Sequence, residues 1–152
     1  MKTFFEWLNF NENQINPQQV QQIIASHKGP LDISGIRTDM IDNAFKIGNQ
    51  VEYDPAFPIA KISKRMQGFD TGSVLAMINK MLSNIGLQQA NTIADIKTIP
   101  NLQQNISKLS EMIPPAILSI LPDETVSLMD GNHRYGASIM LGLPTIKTFI
   151  IR

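Results

Sequence analysis

The chain has 152 residues, of which 43% are hydrophobic and 17% are charged. This size and balance are typical of one globular domain, or of a small domain with an extension, rather than of a disordered or membrane-spanning chain. Basic and acidic side chains number 13 each, so no global charge attracts the protein to nucleic acid, and any such contact would be local. The absence of cysteine excludes disulfides and cysteine-based zinc sites.

The first ten residues predict a short amphipathic helix with Phe4, Trp7 and Leu8 on one face. That face either docks on the protein's own core or binds a partner, including a second copy in a homodimer formed through the N-terminal helices. The segment is interrupted by Glu6, is too short to span a membrane, and lacks the features of a signal peptide. We therefore expect a cytoplasmic protein with no membrane partner.

Two helices before residue 90 have clear start signals. Asn16 is a predicted N-cap, with Pro17 at the first helical position of a helix that continues through residues 18 to 26. His27 follows that helix and is interpreted as a C-terminal cation rather than a ligand. A later helix over residues 74–85 is expected to be capped by one of the polar residues that precede it: Asp70, Thr71 or Ser73.

The region between these helices is more ambiguous. A helix is predicted over 38–47 with Thr38 as its N-cap, and its Asp39 and Asp42 either favour the helix dipole or hold a metal, the first being preferred. Residues 53–58 contain two prolines and predict a loop, which is also a candidate domain boundary. A basic cluster then follows at helical spacing, either as solvated surface or as a second phosphate clamp: Lys61, Lys64 and Arg65.

The last sixty residues predict a small sheet with helices. We expect a short strand at 96–99, a helix at 102–112 and a strand at 115–120. The final 28 residues then form a strand at 125–129, a turn, a helix from His133 that stops at Gly142, and a strand at 145–151.

The turn before that last helix carries the chemistry. A helix N-terminus offers unpaired backbone N–H groups and a partial positive charge, and Gly131 has no side chain to block an approaching ligand. His133 and Arg134 add cationic donors, which a purely structural first turn seldom has. Asp130 to Arg134 therefore predict an anion site, with phosphate as the favoured occupant and Ser138 as a further hydroxyl on the same helix face. The alternative is a capped turn with a surface His and Arg.

The same stretch carries a family resemblance. The segment LMDGNHRYGAS, residues 128–138, followed by LGLPTI at 141–146, resembles the signature of the ParB/sulfiredoxin superfamily. The predicted helix, proline and strand upstream extend that resemblance over about residues 93 to 152. The resemblance implies a ParB/sulfiredoxin-like domain over residues 91–152 and leaves residues 1–90 unexplained. These form a predicted mostly helical region whose role stays open between a lid, a dimer interface and a substrate-specific half. The fold class expected is α+β, a small mixed β-sheet packed by helices.

The resemblance also implies a ligand, a nucleotide triphosphate (ATP or CTP) bound with Mg²⁺ at the turn. Asp130, Gly131, Asn132, His133, Arg134 and Ser138 would bind it, His133 and Arg134 would be catalytic, and no metal ligand is assigned among the protein side chains. Sulfiredoxin activity is excluded because the position before His133 is Asn132 rather than cysteine. The serine kinase of the superfamily has a glutamate base that residues 100–104 do not provide.

The expected function is therefore nucleotide binding with Mg²⁺-dependent hydrolysis or phosphoryl transfer. Two alternatives use the same turn for phosphate capture. One is a ParB-like nuclease, and the other is a non-catalytic module that binds DNA or protein.

Overall fold

The computed structural model describes residues 14–65, 68 and 70–152. Over these residues the chain forms α-helices and β-strands in mixed order, joined in places by short 3₁₀ turns. Their bounds are α1 Pro17–Ala25, α2 Thr38–Lys46, β1 Val51–Pro58, β2 Lys64–Arg65, α3 Thr71–Asn84, α4 Ile106–Glu111, β3 Ala116–Ile120, β4 Val126–Asp130, α5 Asn132–Leu141 and β5 Thr145–Ile151.

The strands form one mixed sheet in the order β1-β5-β3-β4-β2. β5 lies antiparallel to β1 and parallel to β3, while β4 lies antiparallel to β3 and parallel to the two-residue β2. The predicted α+β class with a small mixed sheet is confirmed. The sheet is not confined to the last sixty residues, however, because β1 and β2 both come from the N-terminal side of residue 90.

Helices cover both faces of this sheet. Successive side chains of a strand point to opposite faces, so Ala116 and Leu118 of β3 join one core cluster and Ile117 joins the other. The first cluster contains buried residues of α3, α4 and α5, and the second contains those of α1 and α2. Ile117 lies opposite Phe149 in the register of β3 and β5, and both are fully buried. The N-terminal helices α1 and α2 are therefore a layer of the same fold.

The loop predicted at residues 53–58 is instead part of the edge strand β1. Proline cannot donate to a sheet ladder, yet it is tolerated on an edge strand or at a bulge. The structure uses both exceptions, since the register of β1 against β5 shifts between Asp54 and Phe57, around Pro55. The prolines predicted a loop and a domain boundary, whereas in the structure they lie in the edge strand of the sheet.

Three other local predictions were wrong. Residues 96–98 belong to a 3₁₀ helix, Ile93–Thr98, with Ile99 as its C-cap, because Ile96 and Ile99 are buried at the three-residue spacing of such a helix rather than by strand pairing. The basic cluster is not helical, since Lys61 ends a 3₁₀ turn and β2 follows it. Thr38 is the first residue of α2 and makes no cap, as Arg37 occupies the N-cap position.

Most predicted helix ends are confirmed. Asn16 caps α1 in a reciprocal capping box, with Pro17 next. The side chain of Asp70 accepts hydrogen bonds from the backbone N and Oγ of Ser73 at the start of α3. Gly142 ends α5 with a φ of +74°. The predicted helix at 102–112 is divided between a 3₁₀ turn, Gln103–Asn105, and α4.

In the described part of the chain, no helix combines the length and the hydropathy that crossing a bilayer requires. The stripe predicted from Phe4, Trp7 and Leu8 lies outside the described residues.

Candidate functional site

The predicted turn lies in the wall of a cavity of about 690 Å³. One side of the cavity is the end of β4 and the first residues of α5, from Met129 to Arg134. The segment that leads into α2 and the first turn of that helix also line the cavity, with Leu31, Asp32, Ser34, Gly35, Arg37 and Met40. Gly68, Met77 and Pro114 complete the wall. This volume is in the range of small-molecule sites.

Gly131 sets the shape of the turn. Its φ of +103° lies where side chains other than that of glycine are strained. A Cβ at this position would lie 3.0 Å from Cβ of Ala116 and 3.0 Å from Nε of Arg134. The guanidinium of Arg134 therefore folds back over the glycine, and only a residue without a side chain permits that approach.

Arg134 is 7% exposed and forms an ion pair with Asp130. Its Nη2 donates to Oδ2 of Asp130 at 2.9 Å, and the two side chains are separated by one turn of chain. Burial lowers the pKa of Arg134, and the charge and hydrogen bond of Asp130 oppose that effect. The cation predicted to meet an anion thus already has a carboxylate partner beside the cavity.

The first amides of α5 complete the polar side. The first intrahelical donor is the N–H of Tyr135, which reaches the carbonyl of Gly131 at 2.8 Å. No described residue accepts a hydrogen bond from the amides of Asn132, His133 or Arg134, as is usual for the first turn of a helix. The side-chain Oδ1 of Asn132 is also buried without a partner in the described structure. A ligand at this wall would meet the backbone donors of the first turn of α5.

His133 is exposed and is oriented by the start of α3. Its Nε2 accepts a hydrogen bond from the backbone N of Asp70 at 3.4 Å. His133 also lines the cavity, and its expected role in neutralising phosphate charge stays a prediction.

Ser138 does not lie at the cavity. It is fully buried, and its hydroxyl donates to the carbonyl oxygen of Arg134 at 2.8 Å. The expectation that Ser138 supplies a ligand-binding hydroxyl is therefore corrected. Helical spacing placed Ser138 on the same stripe as Arg134, but at Ser138 that stripe is buried in the protein, whereas Arg134 folds back over Gly131 and lines the cavity.

Sequence reasoning missed the wall contributed by residues 31–40. The backbone N of Arg37 donates to Oδ2 of Asp130 at 2.9 Å, which ties this segment to the turn. Met40, Met77 and Met129 give the cavity an apolar portion beside its polar one. No sequence signal joins positions more than ninety residues apart, so only the folded chain could reveal this wall.

The described side chains include no group of three or more His, Asp or Glu residues that could hold a metal ion. Both carboxylate oxygens of Asp32 accept hydrogen bonds from Ser34, whereas Oδ1 of Asp130 accepts none of those described. Mg²⁺ commonly uses only one or two carboxylates and completes its shell with phosphate oxygens and water. The residues present fit a metal carried by a phosphate ligand, with Asp130 as the available carboxylate.

Comparison of the chain with models of protein families, with curated proteins and with solved structures found no match. The resemblance to the ParB/sulfiredoxin superfamily stays a prediction from residues 128–146. Function is therefore inferred from the chemistry of the cavity.

Proposed function

We propose that the protein binds a nucleoside triphosphate, such as ATP or CTP, together with Mg²⁺ in the cavity beside α5. The observation that carries the proposal is that one cavity of about 690 Å³ is lined by a buried arginine, by apolar side chains and by the first residues of α5, whose three amides have no acceptor among the described residues. Amides and arginine are the usual partners of phosphate, and thioether and aliphatic surfaces suit a base and sugar. The ParB/sulfiredoxin-like resemblance of the turn supports the same ligand class.

The residues divide the task between them. The amides of Asn132 and His133 would cradle phosphate oxygens, and Gly131 lets the guanidinium of Arg134 lie close over the same turn. Arg134 would share its charge between Asp130 and the phosphate, and burial strengthens that interaction by limiting the access of water. Bound Mg²⁺ would supply further charge neutralisation on the phosphates.

Hydrolysis or phosphoryl transfer is the reaction that we propose to accompany binding. Such reactions depend mainly on positioning and on stabilising charge in the transition state, which a fixed arginine provides. His133, whose Nε2 accepts a hydrogen bond from the backbone N of Asp70, would orient an attacking group. A module that captures phosphate without turnover is the competing proposal, and the pairing of Arg134 with Asp130 is the observation that favours it.

The experiment is a thermal-shift titration with ATP, CTP, GTP and UTP in Mg²⁺, with the corresponding nucleosides as controls without phosphate. A ligand at one hundred times its Kd stabilises the folded chain by about 2.7 kcal/mol. We expect at least one triphosphate to raise Tm, no nucleoside to do so, and Arg134→Lys to weaken the effect. Lys97→Ala, which removes an exposed cation from a residue outside the cavity wall, is the matched control.

Phosphate release then separates an enzyme from a binding module. If the turn is catalytic, Arg134→Lys should slow release by roughly a hundredfold at saturating nucleotide. Binding without release would establish the module instead. Metal-dependent cleavage of plasmid or RNA that is lost in His133→Ala would establish the nuclease. No shift with any nucleotide would refute the proposal.

A further inference from the structure

Arg37 and Arg134 meet at a single carboxylate oxygen. Oδ2 of Asp130 accepts from Nη2 of Arg134 and from the backbone N of Arg37, each at 2.9 Å. Arg37 lines the cavity, and it belongs to the start of α2 rather than to α5. The cavity therefore has a second arginine, which comes from a part of the chain that no motif indicated.

The two arginines are held very differently. Arg134 is buried and covered by the turn, whereas the side chain of Arg37 is 54% exposed. The guanidinium of Arg37 pairs with Asp39 through Nε to Oδ1 at 2.9 Å and Nη2 to Oδ2 at 2.7 Å. Asp39 is itself 66% exposed. Exposed pairs contribute little to stability because water and salt screen them, so another anion can replace Asp39 at small cost.

The guanidinium of Arg37 also lies within the field of the turn. The hydrogen bond to Asp39 and the charge of Asp39 raise the pKa of Arg37 most, and the charge of Asp130 raises it further. Because the charge of Asp130 raises the pKa of Arg37 and the backbone N of Arg37 donates to Asp130, Arg37 is near the anion-binding side of the cavity. That side includes Asp130, the carboxylate of the described cavity wall with an oxygen that accepts no hydrogen bond from the described residues.

We propose that Arg37 is a second phosphate-binding residue, which exchanges Asp39 for the ligand and selects nucleotides with more than one phosphate. This inference rests on the proposed function. One fixed arginine and three amides suit a single phosphate group, whereas a di- or triphosphate brings additional negative charge that needs another cation. Asp39 holds the free Arg37 in an extended, bidentate geometry and competes with the ligand for it.

The test compares Kd values for ATP, ADP and AMP, and for CTP, CDP and CMP, in Mg²⁺ by calorimetry. Arg37→Ala should weaken triphosphate binding by about tenfold or more and monophosphate binding by less than about threefold. Arg37→Lys should be intermediate, because an ammonium keeps the charge and loses the bidentate geometry. Asp39→Asn should tighten triphosphate binding by about twofold or more, since it removes the competing anion. Lys97→Ala should change nothing.

Arg37→Ala removes the guanidinium without breaking the link to Asp130, because that link is made by the backbone N–H of residue 37, which alanine retains. An unchanged Tm of Arg37→Ala without ligand will verify that its fold is intact. If its Tm is lowered, the triphosphate affinity of Asp39→Asn tests the same role of Arg37 independently. Wild-type binding with equal losses for mono- and triphosphates, or with no loss, overturns this inference and leaves the proposed function standing. Failure of the wild type to bind any of these nucleotides overturns both.

Discussion

Nη2 of Arg134 donates to Oδ2 of Asp130 across the turn between β4 and α5, and the guanidinium covers Gly131 as it does so. The pair is local in sequence, yet it holds the tertiary structure together, since the same carboxylate oxygen also accepts the N–H of Arg37. One carboxylate therefore fixes the position of the buried cation and the distance between the two walls of the cavity.

Removing either member of the ion pair should destabilise the protein. Arg134→Met leaves an unpaired carboxylate that is 17% exposed, and we expect it to cost about 3 kcal/mol of unfolding free energy. Asp130→Ala should cost more, because it strands both Arg134 and the N–H of Arg37. Urea unfolding measures both, and the double variant should be less unstable than the sum by about 1–3 kcal/mol. Strict additivity would show that the pair is not coupled.

Gly131→Ala should be more destabilising than alanine at other glycines with positive φ. Gly86 and Gly142 have φ of +71° and +74° with nothing within 4 Å of an added Cβ, so each should lose only about 1 kcal/mol from backbone strain. Gly131 adds contacts at 3.0 Å to Ala116 and Arg134 and should lose about 1–2 kcal/mol more. Equal losses at all three positions in thermal or urea unfolding would contradict the close approach.

Ser138→Ala separates a structural role from a ligand role. The hydroxyl donates to a carbonyl inside α5, so its loss should cost about 1 kcal/mol of stability or less. Nucleotide affinity should stay at the wild-type value because the side chain is fully buried away from the cavity. A weakened Kd in a variant with nearly normal unfolding would restore Ser138 to the site.

Stability should fall below pH 6.5 because of His27. Both its ring nitrogens are buried without a hydrogen-bond partner in the described structure, in a cavity of about 220 Å³ that Lys147 also lines. Burial lowers the pKa of His27 most, Lys147 lowers it further, and the nearby backbone of Leu31 raises it in part. The unfolded chain therefore takes up a proton near its ordinary pKa of about 6.5, and the folded chain does so only at lower pH.

Full stability is expected above that value, with a progressive loss as pH falls towards the folded pKa of His27. Unfolding between pH 7.5 and 5.0 measures the slope. The sequence contains two histidines, so His133→Gln is the control that should keep the loss, whereas His27→Gln should remove most of it. If His27→Gln loses stability with falling pH as steeply as the wild type, a group other than His27 is responsible for the loss.

Local sequence chemistry predicted the ends of α1, α3 and α5 because each depends on a few adjacent residues. Asn16 with Pro17, Asp70 and Gly142 act through caps and backbone conformation within one turn of chain. The same locality made the turn at Gly131 recognisable. Prediction from adjacent residues failed at residues 53–58. Proline is acceptable there because β1 is an edge strand, and only the fold shows which strand lies at the edge of the sheet.

The sequence by itself determined the α+β class, most helix ends and the turn that places amides and an arginine at the start of α5. Only the tertiary structure decided that β3 lies between β4 and β5, that Ser138 is buried away from the cavity, and that Arg37 lines the same cavity as Arg134. Caps and turns are selected by neighbouring residues, whereas a cavity wall depends on contacts between distant segments, and no local preference specifies those contacts.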